Sequence, residues 1–203
     1  MADDVVFYHN PQSRGRIVRW MLEEAGAPYE VRLIEFKTGA HKAAAFLAIN
    51  PMGKLPAIVH RGAVVTECPA ICAYLADAFP EAGLAPPLAE RAGYYRWLFF
   101  GAGTLEYAIV DKLLGRPAPE RPQALGYGNF ADTLHTLEAA VTPGPWLLGD
   151  TFSAADVYIG SQIAFAARMK GFEPTPVLAA YVARCMTRPA AQRAIALDTA
   201  LAA

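Results

Sequence analysis

Cysteine is scarce in this chain: Cys68, Cys72 and Cys185 are the only three among 203 residues. They are too few and too far apart for a disulfide framework. The four histidines are scattered and add no ligand spacing around Cys68 and Cys72, so no metal is expected. An excess of either charge is also missing. A formal net charge of -1 leaves no basic field for a nucleic-acid backbone and no lysine-rich face for a membrane surface. No apolar run approaches the ~20 residues that a helix needs to cross a bilayer. The opening Met1-Ala2-Asp3-Asp4 is acidic and has no apolar signal core, so the cytoplasm is the expected location. What remains is 54% apolar and 18% charged, a balance that favours a packed globular chain over a disordered one. The length allows one or two domains with a real core.

The pattern changes along the chain. Val5 to Tyr8 reads as a strand, broken by His9-Asn10-Pro11. From Ser13 the spacing of Ile17, Trp20, Met21 and Ala25 predicts a helix that Gly26 ends. Val31 to Ile34 reads as a second strand and His41 to Ile49 as a short helix. Ala57 to Val59 and Ala63 to Val65 form a hairpin around His60-Arg61-Gly62, and Ile71, Tyr74, Leu75 and Ala78 line a further helix. That order fits an α/β layer with one mixed sheet over residues 1–80. Residues 81–88, bounded by Pro80 and carrying Gly83, Pro86 and Pro87, read as a linker. Over 89–203 helical periodicity dominates: Arg91 to Asp111, Tyr127 to Ala140, Ser153 to Met169, Val177 to Met186 and Ala190 to Leu201. Pro117, Pro119 and Pro122 exclude helix from Arg116 to Pro122. The second domain is therefore expected to be all-helical.

Three stretches of the first domain carry possible chemistry. In Asn50-Pro51-Met52-Gly53-Lys54-Leu55-Pro56-Ala57, a proline opens a strand. A cis Leu55-Pro56 bond would turn the Leu55 amide and carbonyl outward, where an extended peptide could pair with them; a plain loop entering the strand is the alternative. In Thr66-Glu67-Cys68-Pro69-Ala70-Ile71, a helix opens after a strand. Its first amides favour a carboxylate, and Glu67 could accept from an ammonium beside it, together fitting an amino-acid head group. Simple capping by Thr66 with Pro69 in the first turn is the other use. In Tyr8-His9-Asn10-Pro11-Gln12-Ser13-Arg14-Gly15-Arg16, a hydroxyl near a helix N-terminus could stabilise a thiolate, or Ser13 could merely cap the helix.

In this order and spacing the three stretches resemble the cytosolic glutathione transferase family, as a bacterial-type member, over essentially the whole chain. The resemblance implies a thioredoxin-like α/β N-terminal domain, an all-α C-terminal helical domain and a homodimer. It implies that Leu55, before a cis Pro56, pairs its backbone with the cysteinyl part of glutathione. Glu67-Cys68-Pro69-Ala70-Ile71 matches the family's acidic-Ser-x-Ala-Ile motif for the γ-glutamyl group. Cys68 stands where serine is usual, and a thiol is the weaker donor. His41 and Lys54 match positions that contact the glycine end, where positive charge suits a carboxylate. Phe152-Ser153-Ala154-Ala155-Asp156 resembles the family's helix-capping box, with Asp156 expected to be buried and bonded to backbone amides.

The family activates the glutathione thiol with tyrosine, serine or cysteine. Here Ser13 is preferred over Tyr8, and Asn10 or Arg14 could stabilise the thiolate instead. The thiolate would attack a small apolar electrophile held between the domains. Phe99, Gly103 and Tyr107 are the expected contacts, among aromatics that include Tyr95, Phe100, Phe165 and Phe172, with Gly101 and Gly103 leaving space. Glutathione is then a co-substrate, the role one of detoxification, and no metal takes part. A glutathione-dependent disulfide oxidoreductase or peroxidase, and a non-catalytic glutathione- or protein-binding regulator, are the alternatives on the same fold. A redox role for Cys68 is a further alternative to an inert buried thiol.

Overall fold

The computed structural model describes residues 4–118 and 120–202; most of the acidic opening, Met1 to Asp3, and Pro119 of the proline-rich stretch lie outside the described residues. The described chain divides into two compact units.

The first unit holds a four-stranded sheet. Strand β1 (Val5–His9) leads into helix α1 (Gly15–Ala25) and back to β2 (Tyr29–Leu33), which lies parallel to β1. Strands β3 (Ala57–His60) and β4 (Ala63–Thr66) form the expected hairpin, and the order across the sheet is β2-β1-β3-β4 with β3 antiparallel to β1. Arg61 and Gly62 both take positive φ, as a two-residue turn between twisted strands requires. Helix α1 ends at Gly26 in the left-handed conformation, as its position predicts. Val5, Phe7 and His9 alternate onto the buried face of β1, and Val18, Met21 and Leu22 of α1 and Ile71 and Leu75 of α3 (Cys68–Ala78) are buried too. The segment expected as one helix over His41 to Ile49 is instead a 3-10 turn, Ala40–Lys42, and a short α2 (Ala44–Leu47). Ala43 sits between them in extended backbone, which interrupts the helical bonding.

The second unit, Ala85–Arg188, is helical. Helix α4 (Ala92–Phe100) runs through a π-helical stretch, Gly101–Leu105, into α5 (Glu106–Leu113). Helix α6 (Phe130–Val141) starts later than the periodicity predicts because Asn129 caps it, its side chain accepting from the Asp132 amide. Helix α7 (Ala154–Arg168) is buried on nearly every side, as the central helix of a packed unit must be. Its capping box forms as expected. Asp156 is fully buried; it accepts from the Ser153 amide at 3.0 Å and the Leu147 amide at 2.9 Å, while the Tyr181 hydroxyl donates to it at 3.0 Å. Helix α8 (Pro176–Met186) supplies that tyrosine.

The last helix, α9 (Pro189–Ala202), departs from the expected division. It packs on α1 and groups with the first unit. Ala190, Ala191, Ala194 and Asp198 form its buried face. Small side chains let the two helix backbones approach closely, and Asp198 finds buried cationic and imidazole partners there. Helical periodicity fixes which face is apolar but not which layer receives it. No helix among the described residues is long and apolar enough to cross a membrane.

Candidate functional site

The turn between β1 and α1 is tightly determined. Asn10 is buried; its Nδ2 donates to the Ile34 carbonyl at 2.9 Å and its Oδ1 accepts from the Gln12 amide at 2.9 Å. The Asn10 carbonyl accepts from both the Ser13 amide at 2.9 Å and the Ser13 hydroxyl at 2.7 Å. Ser13 Oγ in turn accepts from the Gly15 amide at 2.9 Å. The side-chain amide of Asn10 is thus committed to shaping the turn, and Ser13 stands half-buried at its tip with both hydroxyl roles in use. Arg14, not Ser13, is the capping residue of α1 by position, although Ser13 still takes up one helix-end amide. Tyr8 points to the other face of the sheet, where its ring lies 5.7 Å from that of Phe46.

The opening of α3 meets this turn. Cys68 is buried, and its thiol donates to the Arg14 carbonyl at 3.7 Å. Glu67 precedes it, exposed, with φ 66° and ψ 120°. A residue with a Cβ held there is strained by about 1–3 kcal/mol, a cost that surrounding structure must impose. Thr66 ends β4, so the capping position falls to Glu67, which makes no side-chain cap bond. Capping therefore does not account for the glutamate.

A third group forms before β3. The Leu55-Pro56 bond is cis. The Leu55 side chain belongs to a buried cluster with Phe46 and Ala57, which Tyr8 borders. Among the described residues neither the amide nor the carbonyl of Leu55 has a backbone partner. Lys54 is exposed, and its carbonyl accepts from Asn50 Nδ2 at 2.9 Å. Gly53 lies so close to the preceding segment that a Cβ on it would stand 2.6 Å from the His41 carbonyl oxygen. His41 rests against Phe36 at 5.2 Å between ring centroids, with its Nδ1 buried and unpartnered. Lys42, which the sequence reading passed over, donates from Nζ to the Met52 carbonyl at 2.8 Å. Its adjacency to His41 was the only signal available.

In the helical unit Phe99 and Tyr107 are 74% and 62% exposed, and Gly103 between them faces open space. The three recur every fourth residue on one side of the helix. Gly101 leaves no such space, contrary to expectation. Tyr158 of α7 packs onto it so closely that a Cβ would stand 2.7 Å from the ring, and the Gly101 carbonyl accepts from Gln162 at 3.1 Å. Phe172 is engaged edge-on with Phe130 at 5.3 Å.

A polar group behind the turn escaped the sequence reading altogether. His9 and Asp198 are both buried, and Asp198 Oδ1 lies 2.8 Å from His9 Nε2 and 2.6 Å from Arg19 Nε. A carboxylate only accepts, so Nε2 carries the proton and Nδ1 is left as an acceptor, without a partner among the described residues. Burial lowers the His9 pKa below its ordinary 6.5, outweighing the opposing pull of Asp198, and the ring is neutral at pH 7. Arg19 continues to the Tyr29 hydroxyl at 3.2 Å, and that hydroxyl donates to Glu23 at 2.7 Å. Burial, with Glu23 adding to it, pushes the Tyr29 phenol up to about 12.

Known proteins carry the same organisation. Residues 4–77 match the family description "Glutathione S-transferase, N-terminal domain" and residues 86–184 match "Glutathione S-transferase, C-terminal domain". Glutathione S-transferase A of Pleuronectes platessa is 32% identical over 173 residues, 79% of this chain and 76% of its own length. A solved glutathione transferase from Methylococcus capsulatus aligns at 31% identity with a TM-score of 0.78, over 96% of this chain and 98% of its own. A glutathione transferase family member from Pseudomonas fluorescens, solved with two glutathione bound, aligns at 26% identity with a TM-score of 0.78, over 95% of this chain and 92% of its own. With a mixed α/β unit and a helical unit each matched in its proper place, the chain belongs to the glutathione S-transferase family.

Proposed function

We propose that this chain binds glutathione in its first unit, activates the thiol and transfers the thiolate to a small apolar electrophile. The observation that carries the reading is the presence of three features in one unit: an open backbone at Leu55, a strained and exposed Glu67 at the start of α3, and a turn bearing Ser13 that is bonded to α3 through Cys68. The solved relative with two glutathione bound supports the choice of ligand. In this reading Leu55 pairs with the cysteinyl backbone as an added strand would. Glu67 accepts from the γ-glutamyl ammonium, and the amides at the α3 N-terminus receive its carboxylate. Cys68 contributes its amide, because its thiol is turned to Arg14. His41 and Lys54, with Lys42 beside them, face the glycine carboxylate.

Ser13 is the proposed donor to sulfur. Its hydrogen now goes to the Asn10 carbonyl; rotation about the Cβ–Oγ bond redirects it to a bound thiolate, whose charge the α1 N-terminus also favours. The thiol proton leaves to solvent. Attack on an activated aryl halide then forms a carbon–sulfur bond as halide departs with its electron pair. Tyr8 is the alternative donor. Phe99, Gly103 and Tyr107 are the proposed contacts of the apolar electrophile, and a cytoplasmic homodimer with a detoxifying role is the proposed context.

The test is the ultraviolet spectrum of bound glutathione against pH for wild type, Ser13→Ala and Tyr8→Phe. A thiolate band titrating below the ~8.5 of an ordinary thiol, and moving up in Ser13→Ala alone, is the expected result. A shift in Tyr8→Phe alone would transfer the role to Tyr8. Glutathione bound without any thiolate band near neutral pH would replace catalysis with a regulatory binding role. Faster turnover of a glutathione mixed disulfide than of the aryl halide would make reduction the native reaction.

A further inference from the structure

The carboxylate of Asp198 plays no part in the proposed reaction, yet one of its oxygens holds both ends of the turn that carries Ser13. His9 is the last residue of β1, and Arg19 lies one turn into α1. Both donate to Asp198 Oδ1, at 2.8 and 2.6 Å, while Arg16 Nε stands 3.9 Å from Oδ2. The turn is therefore spanned by a single atom supplied from α9. The grip reaches the surroundings of Ser13 at Gly15. A methyl placed on Gly15 would lie 2.2 Å from His9 Nδ1 and 2.9 Å from Ser13 Oγ, so the imidazole and the hydroxyl border the same point. A shift of the imidazole therefore changes the space directly beside the hydroxyl.

We propose that Asp198 is a positioning residue, which through His9 and Arg19 fixes the β1–α1 turn so that Ser13 Oγ meets the glutathione sulfur. This rests on the reading of Ser13 as the donor to that sulfur. Docking of α9 has independent support, since its alanine face is buried on α1 and Arg193 Nε pairs with Glu23 at 3.0 Å. A carboxylate in desolvated surroundings is a costly way to add adhesion alone, because burying charge offsets most of what pairing returns. Its particular contribution is geometric: the hydrogen bonds of a shared acceptor hold two elements at one separation, and reactions depend steeply on such placement.

The experiment compares Asp198→Asn and Arg193→Ala with wild type in three readouts: thiol pKa of bound glutathione, kcat and KM for glutathione with an activated aryl halide, and Tm. Asp198→Asn is expected to raise the thiol pKa by about one unit and to lower kcat about tenfold at neutral pH, with KM changed by less than about twofold. Arg193→Ala, which loosens the same helix at Glu23, two hydrogen bonds removed from Arg19 by way of Tyr29, lowers Tm and leaves pKa and kcat as in wild type. A fall in Tm for Asp198→Asn with an unchanged thiol pKa would overturn the proposal and reduce Asp198 to a structural role. Absence of a thiolate band in wild type would overturn the Ser13 reading and this one with it, a signature distinct from the first. If Asp198→Asn does not fold, His9→Phe cuts the same link while keeping a ring on Phe7 and the Arg19 pair intact. The same rise in thiol pKa is expected, and no rise overturns the proposal.

Discussion

Glu67 and Gly15 are single residues whose backbones matter more than their names suggest. Glu67 holds a positive φ that is costly for a residue with a Cβ, so the side chain is kept at some cost. An ammonium-accepting role predicts that Glu67→Ala weakens glutathione binding more than about tenfold, the loss typical of a charged hydrogen bond left unmade. Calorimetry decides this, and equal affinities would remove the γ-glutamyl assignment. Gly15 is required for a different reason. Its φ is unremarkable, but its Cα faces His9 and Ser13 with no room for a methyl. Gly15→Ala should destabilise the chain by about 1–3 kcal/mol through overpacking, measured by denaturant unfolding. It should also depress conjugation beyond that loss, since Ser13 is one of the two groups displaced.

Helix α7 shows how one capping residue organises a whole element. Asp156 serves as the reciprocal member of the box with Ser153, but it also satisfies the Leu147 amide and the Tyr181 hydroxyl, so a loop and α8 are tied to the start of α7. Burial raises the Asp156 pKa, while the hydrogen bonds from the Leu147 and Ser153 amides and from the Tyr181 and Ser153 hydroxyls oppose the rise. Removing the carboxylate loses a cap and leaves buried donors unmatched. Asp156→Ala is therefore expected to cost about 2–4 kcal/mol, seen as a lower denaturation midpoint at an unchanged slope. A midpoint equal to wild type would contradict the capping role. The π-helical stretch after α4 illustrates the opposite relation. There the absent side chain of Gly101 admits Tyr158 of α7, and tertiary packing, not local propensity, selects the residue.

For the molecule as a whole, the buried His9 gives stability a particular pH dependence. Its folded pKa lies below the unfolded 6.5, so between the two values the unfolded chain takes up a proton that the folded chain refuses. Stability is complete above 6.5 and declines as pH falls through that value towards the folded pKa. The slope contributed is at most ~1.4 kcal/mol per pH unit for one proton. Melting followed from about pH 7 to pH 5 should fall more steeply in wild type than in His9→Phe, which cannot titrate. Parallel curves would assign the acid sensitivity to other groups.

Much of this architecture is legible in the chain because it rests on local rules. The strand spacing, the Gly26 stop, the hairpin at Arg61-Gly62, the Ser153–Asp156 box and the proline before β3 are each decided within a few residues by sterics and hydrogen-bond satisfaction. The family motif around Glu67 follows from the same locality, as does the candidacy of Ser13. Other features depend on partners distant in sequence. His9 reads as a turn residue, and nothing local links it to Arg19 or Asp198 until α9 folds back on α1 and one buried oxygen joins the three. Gly101 and Gly15 become necessary only when Tyr158 and His9 arrive. Most of the elements and the family motifs can be read along the chain alone, since short-range patterns encode those. The place of α9 and the polar group behind the turn emerge only in the folded chain, because burial and long-range pairing exist only once the chain has closed on itself.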